Sequence, residues 1–171
     1  MNRLINKVKR YFYNQRQYQN YLKRSGLKIG DGCEINKDVC FGSEPYLIEI
    51  GNYVRITSGC KFITHDGGVW VLRHKTNNIN LDLIKKIKIG NNIHIGINSI
   101  IMPGVTIGDN VIIGCGAVVT KNIPSGEIWG GVPAKKITSI DEYFEKHKSE
   151  FKSTKNMNKK EKKKYLEKNC I

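Results

Sequence analysis

The residues best equipped for chemistry gather at one stretch, ITHDGG at positions 63 to 68, with Trp70, Arg73 and His74 close behind. An imidazole exchanges a proton near neutral pH, so His65 is a candidate base for deprotonating a weak acid. Such a ring needs an acidic partner to orient it. Asp66 is adjacent, but neighbouring residues of a strand face opposite ways, so it serves only where the chain already turns, as Gly67 and Gly68 permit. Glu44 is the other acidic candidate, either to orient His65 or to bind an acceptor. For both, a solvated loop carboxylate is the plain alternative. Trp70 and Arg73 join an aromatic face to a guanidinium, which suits a hydrated or acidic glycan, although exposed loop filler accounts for them equally well. Taken alone, a histidine in an apolar run is more often structural, so the weight of this group depends on what holds it.

What holds it is a repeat. Between Ile89 and Pro124 the chain advances in units of six: IGNNIH, IGINSI, IMPGVT, IGDNVI, IGCGAV and VTKNIP. A strand needs period two and a helix 3.6, and a period of six fits neither. It fits a solenoid of very short strands joined by tight corners, with Gly and Asn supplying the positive φ of the turns. The same register occurs at Ile29, Ile35 and Phe41, and again at Ile50, Ile56 and Phe62. One unit makes one side of a prism and three make a coil. The opening residues then stack into an interior column, and the fifth-place residues (Cys33, Val39, Val54, Cys60, Ile93, Ser99, Val105, Val111, Ala117 and Ile123) fill the space beside it. At roughly 25 cal/mol per Å² of apolar surface, such a column supplies a core despite a polar composition, and stability becomes nearest-neighbour. The expected fold class is an all-β solenoid.

Two interruptions break the register. After Phe41 the next start is due at position 47 and comes at Ile50, so three residues are inserted around Ser43 to Leu47. After Phe62 it is due at position 68 and comes at Ile89, so twenty-one residues leave the prism directly after ITHDGG, an excursion over 67–88. Long loops are uncommon inside compact domains and are often functional; a tolerated surface insertion is the plain reading.

The 171 residues read as one domain with extensions: a basic amphipathic helical stretch over 1–28, the solenoid over 29–138 and a lysine-rich helical tail over 139–171. The formal net charge of +14 sits at the ends, because residues 1 to 28 hold eight Lys and Arg without an acid, and residues 146 to 171 hold ten Lys against three acids. The solenoid is near neutral, and no aromatic platform accompanies the charge, so a nucleic-acid partner is not expected. In the N-terminal stretch Leu4, Ile5, Val8, Tyr11, Phe12, Tyr18, Tyr21 and Leu22 fall near helical spacing until Ser25-Gly26. Such a helix caps the open first coil, docks on a partner or lies on an anionic membrane surface, and capping is preferred because a solenoid end exposes strand edges.

The N-terminal apolar residues are interleaved with charges, unlike a signal peptide, and no run approaches eighteen apolar residues. A cytoplasmic protein is expected, with basic termini suited to peripheral contact with the inner face of a membrane. Five cysteines without a C-x-x-C pair fit that compartment, and Cys33, Cys60 and Cys115 are expected as buried thiols at the small-residue position.

The Ile-Gly hexapeptides, the single loop after Thr64-His65, the VTKNIP unit and the closing GGVPAKKI together resemble the hexapeptide-repeat acyltransferases, in particular the sugar O-acetyltransferase branch that uses acetyl-CoA. The likeness covers about positions 29 to 138, and its specific part is VTK-x-I-P followed by G-x-P-A-[KR]-x-I. It implies a left-handed parallel β-helix, a hand opposite to the usual crossover rule, and a homotrimer with active sites between subunits. The excursion would then roof the acceptor pocket beside the adjacent subunit. The extensions resemble those of acetyltransferases encoded with capsule and lipopolysaccharide genes. The implied function is transfer of acetyl from acetyl-CoA to a hydroxyl of such a glycan or its precursor.

By that resemblance His65 matches the catalytic base, taking a proton from the sugar hydroxyl as its oxygen attacks the thioester and returning it to the departing thiolate, a role worth about 10² to 10⁴ in rate. Backbone N–H groups would hold the oxyanion. The donor positions are Gly96, Ile97, Cys115, Gly116, Ala117, Thr120, Lys121 and Lys135: small residues let the pantetheine arm approach the backbone, and the lysines meet the phosphates. The family often carries Arg at the position of Lys135. Trp129 either packs on the adenine or closes the last coil. His94 stands where relatives commonly have Trp, on the groove-facing coil after the loop, and is read as an acceptor-pocket residue. No metal is expected.

Three alternatives remain open. One is N-acetylation of an amino sugar, which would use the same base and donor tunnel. Another is a gamma-type carbonic anhydrase, which shares the prism, but its H-x4-H pair is missing and His65, His74 and His94 do not reproduce its spacing. The last is a noncatalytic scaffold or nucleic-acid binder that uses the basic ends; against it, the core carries no aromatic platform.

Overall fold

The computed structural model describes residues 12 to 169. The part of the N-terminal stretch that carries Leu4, Ile5, Val8 and Tyr11 lies outside the described residues. Helix α1, Gln15–Arg24, opens on a capping box in which Asn14 and Gln17 exchange side-chain-to-backbone hydrogen bonds, both 2.9 Å. It stops at Ser25, where Gly26 takes a φ of +97°.

Thirteen strands follow: β1 Lys28–Ile29, β2 Glu34–Ile35, β3 Ile48–Ile50, β4 Val54–Ile56, β5 Lys61–Phe62, β6 Ile87–Ile89, β7 Ile93–Ile95, β8 Ile100–Ile101, β9 Thr106–Ile107, β10 Val111–Ile113, β11 Val118–Val119, β12 Glu127–Gly130 and β13 Lys135–Ser139. The chain visits three sheets in turn, ordered β1-β3-β6-β9, β2-β4-β7-β10-β12-β13 and β5-β8-β11. Every pairing is parallel except β12 with β13. Strands of two or three residues cannot bury a face alone, so each draws its hydrogen bonds from the neighbouring rounds, on both sides within a sheet and on one side at its edge.

The expected interior forms. The opening residues from Ile29 to Val119 and all ten fifth-place residues are buried in one cluster, or, for Ser99, buried with its hydroxyl donated to the carbonyls of Gly96 and Gly114. At the fourth place the backbone turns left-handed: Asn92, Asn98 and Asn110 have φ of 54°, 60° and 55°, and Gly116 has 70°. This is why Gly and Asn punctuate the repeat. One corner is further tied by a ladder in which Asp31, Asn52, Asn91 and Asp109 each donate a backbone N–H to the side-chain oxygen one round along, at 2.6 to 2.9 Å.

Cys115 corrects the sequence reading. Cys33 and Cys60 are buried, but Cys115 is exposed, because it occupies the third place of its unit, at the corner, while Ala117 occupies the fifth. Helix α1 covers the open end of the second sheet. Gln15 accepts from Ile35 N–H and donates to its carbonyl (3.2 and 3.3 Å), and Tyr18 and Leu22 are buried with the core, while Phe12 is exposed. The edge strand β2 thus has its backbone met by a side chain.

The excursion is not featureless. It contains helix α2, Val69–Lys75, and returns antiparallel to its own departure through a bridge between His65 and Ile84. From Asp141 onward the chain forms a second unit, which holds helix α3, Ile140–His147, from its second residue on and helix α4, Lys159–Asn169. Within it the rings of Phe144 and Phe151 stack at 5.6 Å. No helix among the described residues is long and apolar enough to cross a membrane.

Candidate active site

The site is assembled where both interruptions meet. The backbone on either side of His65 is pinned by the returning limb, with Lys85 N–H donating to the Thr64 carbonyl at 2.8 Å and Asp66 N–H donating to the Leu83 carbonyl at 2.9 Å. The three-residue insertion forms a single 3₁₀ turn, Pro45–Leu47, with Glu44 at its head. Its carboxylate lies against the imidazole: Glu44 Oε2 is 3.0 Å from His65 Nδ1. The same oxygen accepts the Thr64 hydroxyl at 2.6 Å.

Those donors hold Glu44 ionised. The hydrogen bond from Thr64, then that from His65 and then that from Ser43 bring its carboxyl down to about 2. An ionised carboxylate can only accept, so Nδ1 must carry the hydrogen of the neutral ring, and Nε2 is left with the lone pair. Glu44 is largely covered while His65 is 47% exposed, so the partner is sheltered and the reactive edge is reachable. A cleft opens on this pair, lined by Ser43, Asp66, Val69, Trp70, Asp82 and Ile84 among others. The arrangement can take a proton from a group in the cleft and return it.

The remaining predicted residues divide. Asp66 braces the turn ahead of α2, accepting the Gly68 N–H at 2.8 Å, and does not orient the ring. Arg73 lines the cleft but is occupied, its Nε on the Leu81 carbonyl at 2.8 Å and its guanidinium paired with Asp82, so it braces the excursion. Trp70 is 64% exposed beside the cleft, with His74 edge-on at 5.1 Å. His94 does not line this cleft. It sits on β7 in register with Arg55 and Ile112, and burial first, then the Arg55 charge, lowers its pKa and keeps the ring neutral.

On the later rounds, Gly96 lies so close to the next round that a Cβ would meet Cys115 N at 2.5 Å. Ile97 is exposed, and its carbonyl accepts Gly116 N–H at 2.7 Å. Thr120, Lys121 and Lys135 are exposed. Ala117 is fully buried, its N–H donates to the Gly114 carbonyl and its carbonyl accepts the Ile100 N–H, so its backbone is engaged within the solenoid. Trp129 packs partly buried against the core and donates its indole N–H to Glu127 at 2.7 Å, which favours closure of the last round. Sequence reasoning did not single out Thr64; alternation along Phe62-Ile63-Thr64-His65 was the available signal, since it turns Thr64 inward.

Comparison with known proteins converges on one class. The family model described as bacterial transferase hexapeptide (six repeats) matches residues 86–121. Protein CapG of Staphylococcus aureus is 55% identical over 148 residues, 85% of this chain and 84% of that protein. A hexapeptide-repeat containing acetyltransferase of Vibrio cholerae O1 biovar eltor, solved in complex with acetyl coenzyme A, is 30% identical with a TM-score of 0.59, over 67% of this chain and 60% of that one. A maltose O-acetyltransferase of Clostridium difficile 630 is 26% identical with a TM-score of 0.55, over 72% and 75%.

Proposed function

Because the chain belongs to the bacterial hexapeptide-repeat acetyltransferases, which are acetyl-CoA-dependent acyltransferases, we propose that it transfers acetyl to a sugar hydroxyl of a capsule or lipopolysaccharide glycan or its precursor, with His65 as general base. The observation that carries this reading is the His65–Glu44 pair at the mouth of a cleft, with Nε2 as the ring's only acceptor. His65 Nε2 takes the hydroxyl proton as the oxygen attacks the thioester carbonyl, and gives it to the departing thiolate. Glu44 stabilises the imidazolium between those two transfers.

The rounds are left-handed in this proposal, and three chains assemble with the cleft completed by a neighbour's flank. That neighbour supplies His94 to the acceptor, which accounts for the absence of His94 from the cleft within one chain, while Trp70 meets the acceptor from the same chain as His65. Exposed Lys121 and Lys135 meet the donor phosphates, and the corner around Gly96, Ile97, Cys115 and Gly116 lies along the pantetheine arm. The sugar hydroxyl as acceptor is supported by the likeness to the maltose O-acetyltransferase. The basic ends hold the enzyme at the inner face of a membrane.

The test is CoA release measured chromatographically from acetyl-CoA with a panel of nucleotide sugars, lipid-linked glycans and amino sugars, followed by NMR of the product. An ester on a sugar oxygen is expected. Amide formation alone, or no release with any acceptor, would remove the proposal.

A further inference from the structure

We infer that Thr64 is a positioning residue for this transfer: its hydroxyl locks the one carboxylate oxygen of Glu44 that receives the hydrogen of His65 Nδ1. The inference rests on the reading of His65 as base, and adds the group that aims the aiming carboxylate.

A carboxylate has two oxygens, yet the Thr64 and His65 donors converge on Oε2, at 2.6 and 3.0 Å. Ser43 also donates to this carboxylate, but Thr64 meets the very oxygen that receives His65, and two donors on one atom from different directions fix which oxygen faces the ring. Thr64 can do this because it does not itself move. Its side chain has no exposed surface and its carbonyl is held by Lys85 N–H. The approach to the contact runs through Gly42, whose φ of +67° is a backbone conformation that other side chains rarely adopt. Glycine thereby lets the 3₁₀ turn fold down over Thr64. The other charged groups facing the pair are Asp66 on its own segment, Arg73 from α2 and Asp82 from the returning limb. Arg73 is already joined to Asp82 and Asp66 to the Gly68 N–H, so neither substitutes for the threonine.

Loss of the hydroxyl should therefore act on the chemical step through the ring, and leave the donor site alone. Thr64→Val is compared with Thr64→Ser, which keeps the donor, and with Thr64→Ala should the valine fail to fold. Turnover is read as CoA release from acetyl-CoA, with water and with UDP-N-acetylglucosamine as acceptors, and the ring tautomer as the ¹⁵N spectrum of His65 in the full protein. Thr64→Val should lower kcat roughly tenfold, the effect of one hydrogen bond to a charged group, with the KM for acetyl-CoA unchanged. Thr64→Ser should restore most of kcat, and the spectrum should pass from a single Nδ1–H tautomer to a mixture in the valine variant only. In a Glu44→Gln background the valine should cost little more, because the hydroxyl acts through the carboxylate. Wild-type kcat and a single tautomer in Thr64→Val, or an equal loss in both backgrounds, would overturn the inference. Were His65→Ala fully active, the base assignment beneath it would fail instead; an inactive His65→Ala beside an unaffected Thr64→Val removes only the role of Thr64.

Discussion

One oxygen of Glu44 links the buried interior to the reactive ring, and the consequences can be read in two ways. Glu44→Gln keeps the shape but removes the charge that stabilises the imidazolium, so kcat should fall by about 10- to 100-fold, within the range of a positioned acid–base group, while acetyl-CoA binding by calorimetry stays unchanged. The carboxyl is also held down to about 2, chiefly by Thr64, from an ordinary 4.5. A depressed carboxylate contributes stability that is present above the unfolded value and is lost as pH falls through the folded one. Acid denaturation of the wild type should therefore lose a component between about 4.5 and about 2, and Glu44→Gln should lack it. Identical acid profiles for the two proteins would show that the carboxylate is not held as described.

The corners of the repeat explain which substitutions the rounds tolerate. A Cβ at Gly96 would lie 2.5 Å from Cys115 N and 2.7 Å from the Ile113 carbonyl. Both are backbone and cannot step aside, so Gly96→Ala should destabilise by roughly 1 to 3 kcal/mol, the usual cost of forcing atoms into a filled space. At Gly67 nothing lies within 4 Å, and Gly67→Ala should stay within about 0.5 kcal/mol of wild type. Denaturant unfolding of the two variants checks both, and equal stabilities would contradict the close approach of the rounds. The same elements show what the sequence made legible. Period six gave the interior column because every coil repeats one environment, so the pattern from Ile29 to Val119 could be read locally. Cys115 was misplaced by counting within a unit, since third and fifth places differ only in which way the corner turns. The Glu44 partnership was visible only as one of two options, because it joins positions twenty-one residues apart through a coil whose length the insertion itself alters. Thr64 was hidden for another reason: a buried hydroxyl looks like any strand threonine until its acceptor is in place. Arg73 read as a sugar contact because nothing in the sequence pairs it with Asp82.

As an assembly, the proposed trimer places half of each donor wall on a neighbour. Dissociating the protein without unfolding it should abolish acetyl-CoA binding, whereas Lys121→Ala and Lys135→Ala should weaken it in intact assemblies by roughly 1 to 2 kcal/mol each, as for a charged hydrogen bond to phosphate. A pantetheine fragment lacking those phosphates should bind all forms of the trimer alike. Light scattering with calorimetry reads both, and a folded monomer with native affinity would refute the shared site. The charge at the two ends, eight Lys and Arg before Ile29 and ten Lys after Glu145, should draw the protein onto vesicles containing phosphatidylglycerol at low salt and release it as salt rises. Equal sedimentation with neutral phosphatidylcholine vesicles would leave the ends as solvated surface.

The most direct test of the account is single-turnover acetyl transfer by His65→Ala beside the wild type, under saturating acetyl-CoA and with the best acceptor of the panel. A loss of at least about 10²-fold in the chemical step is expected, with acetyl-CoA affinity unchanged, because the imidazole acts only as the acceptor hydroxyl attacks the thioester. Wild-type transfer by His65→Ala would contradict the mechanism at its centre.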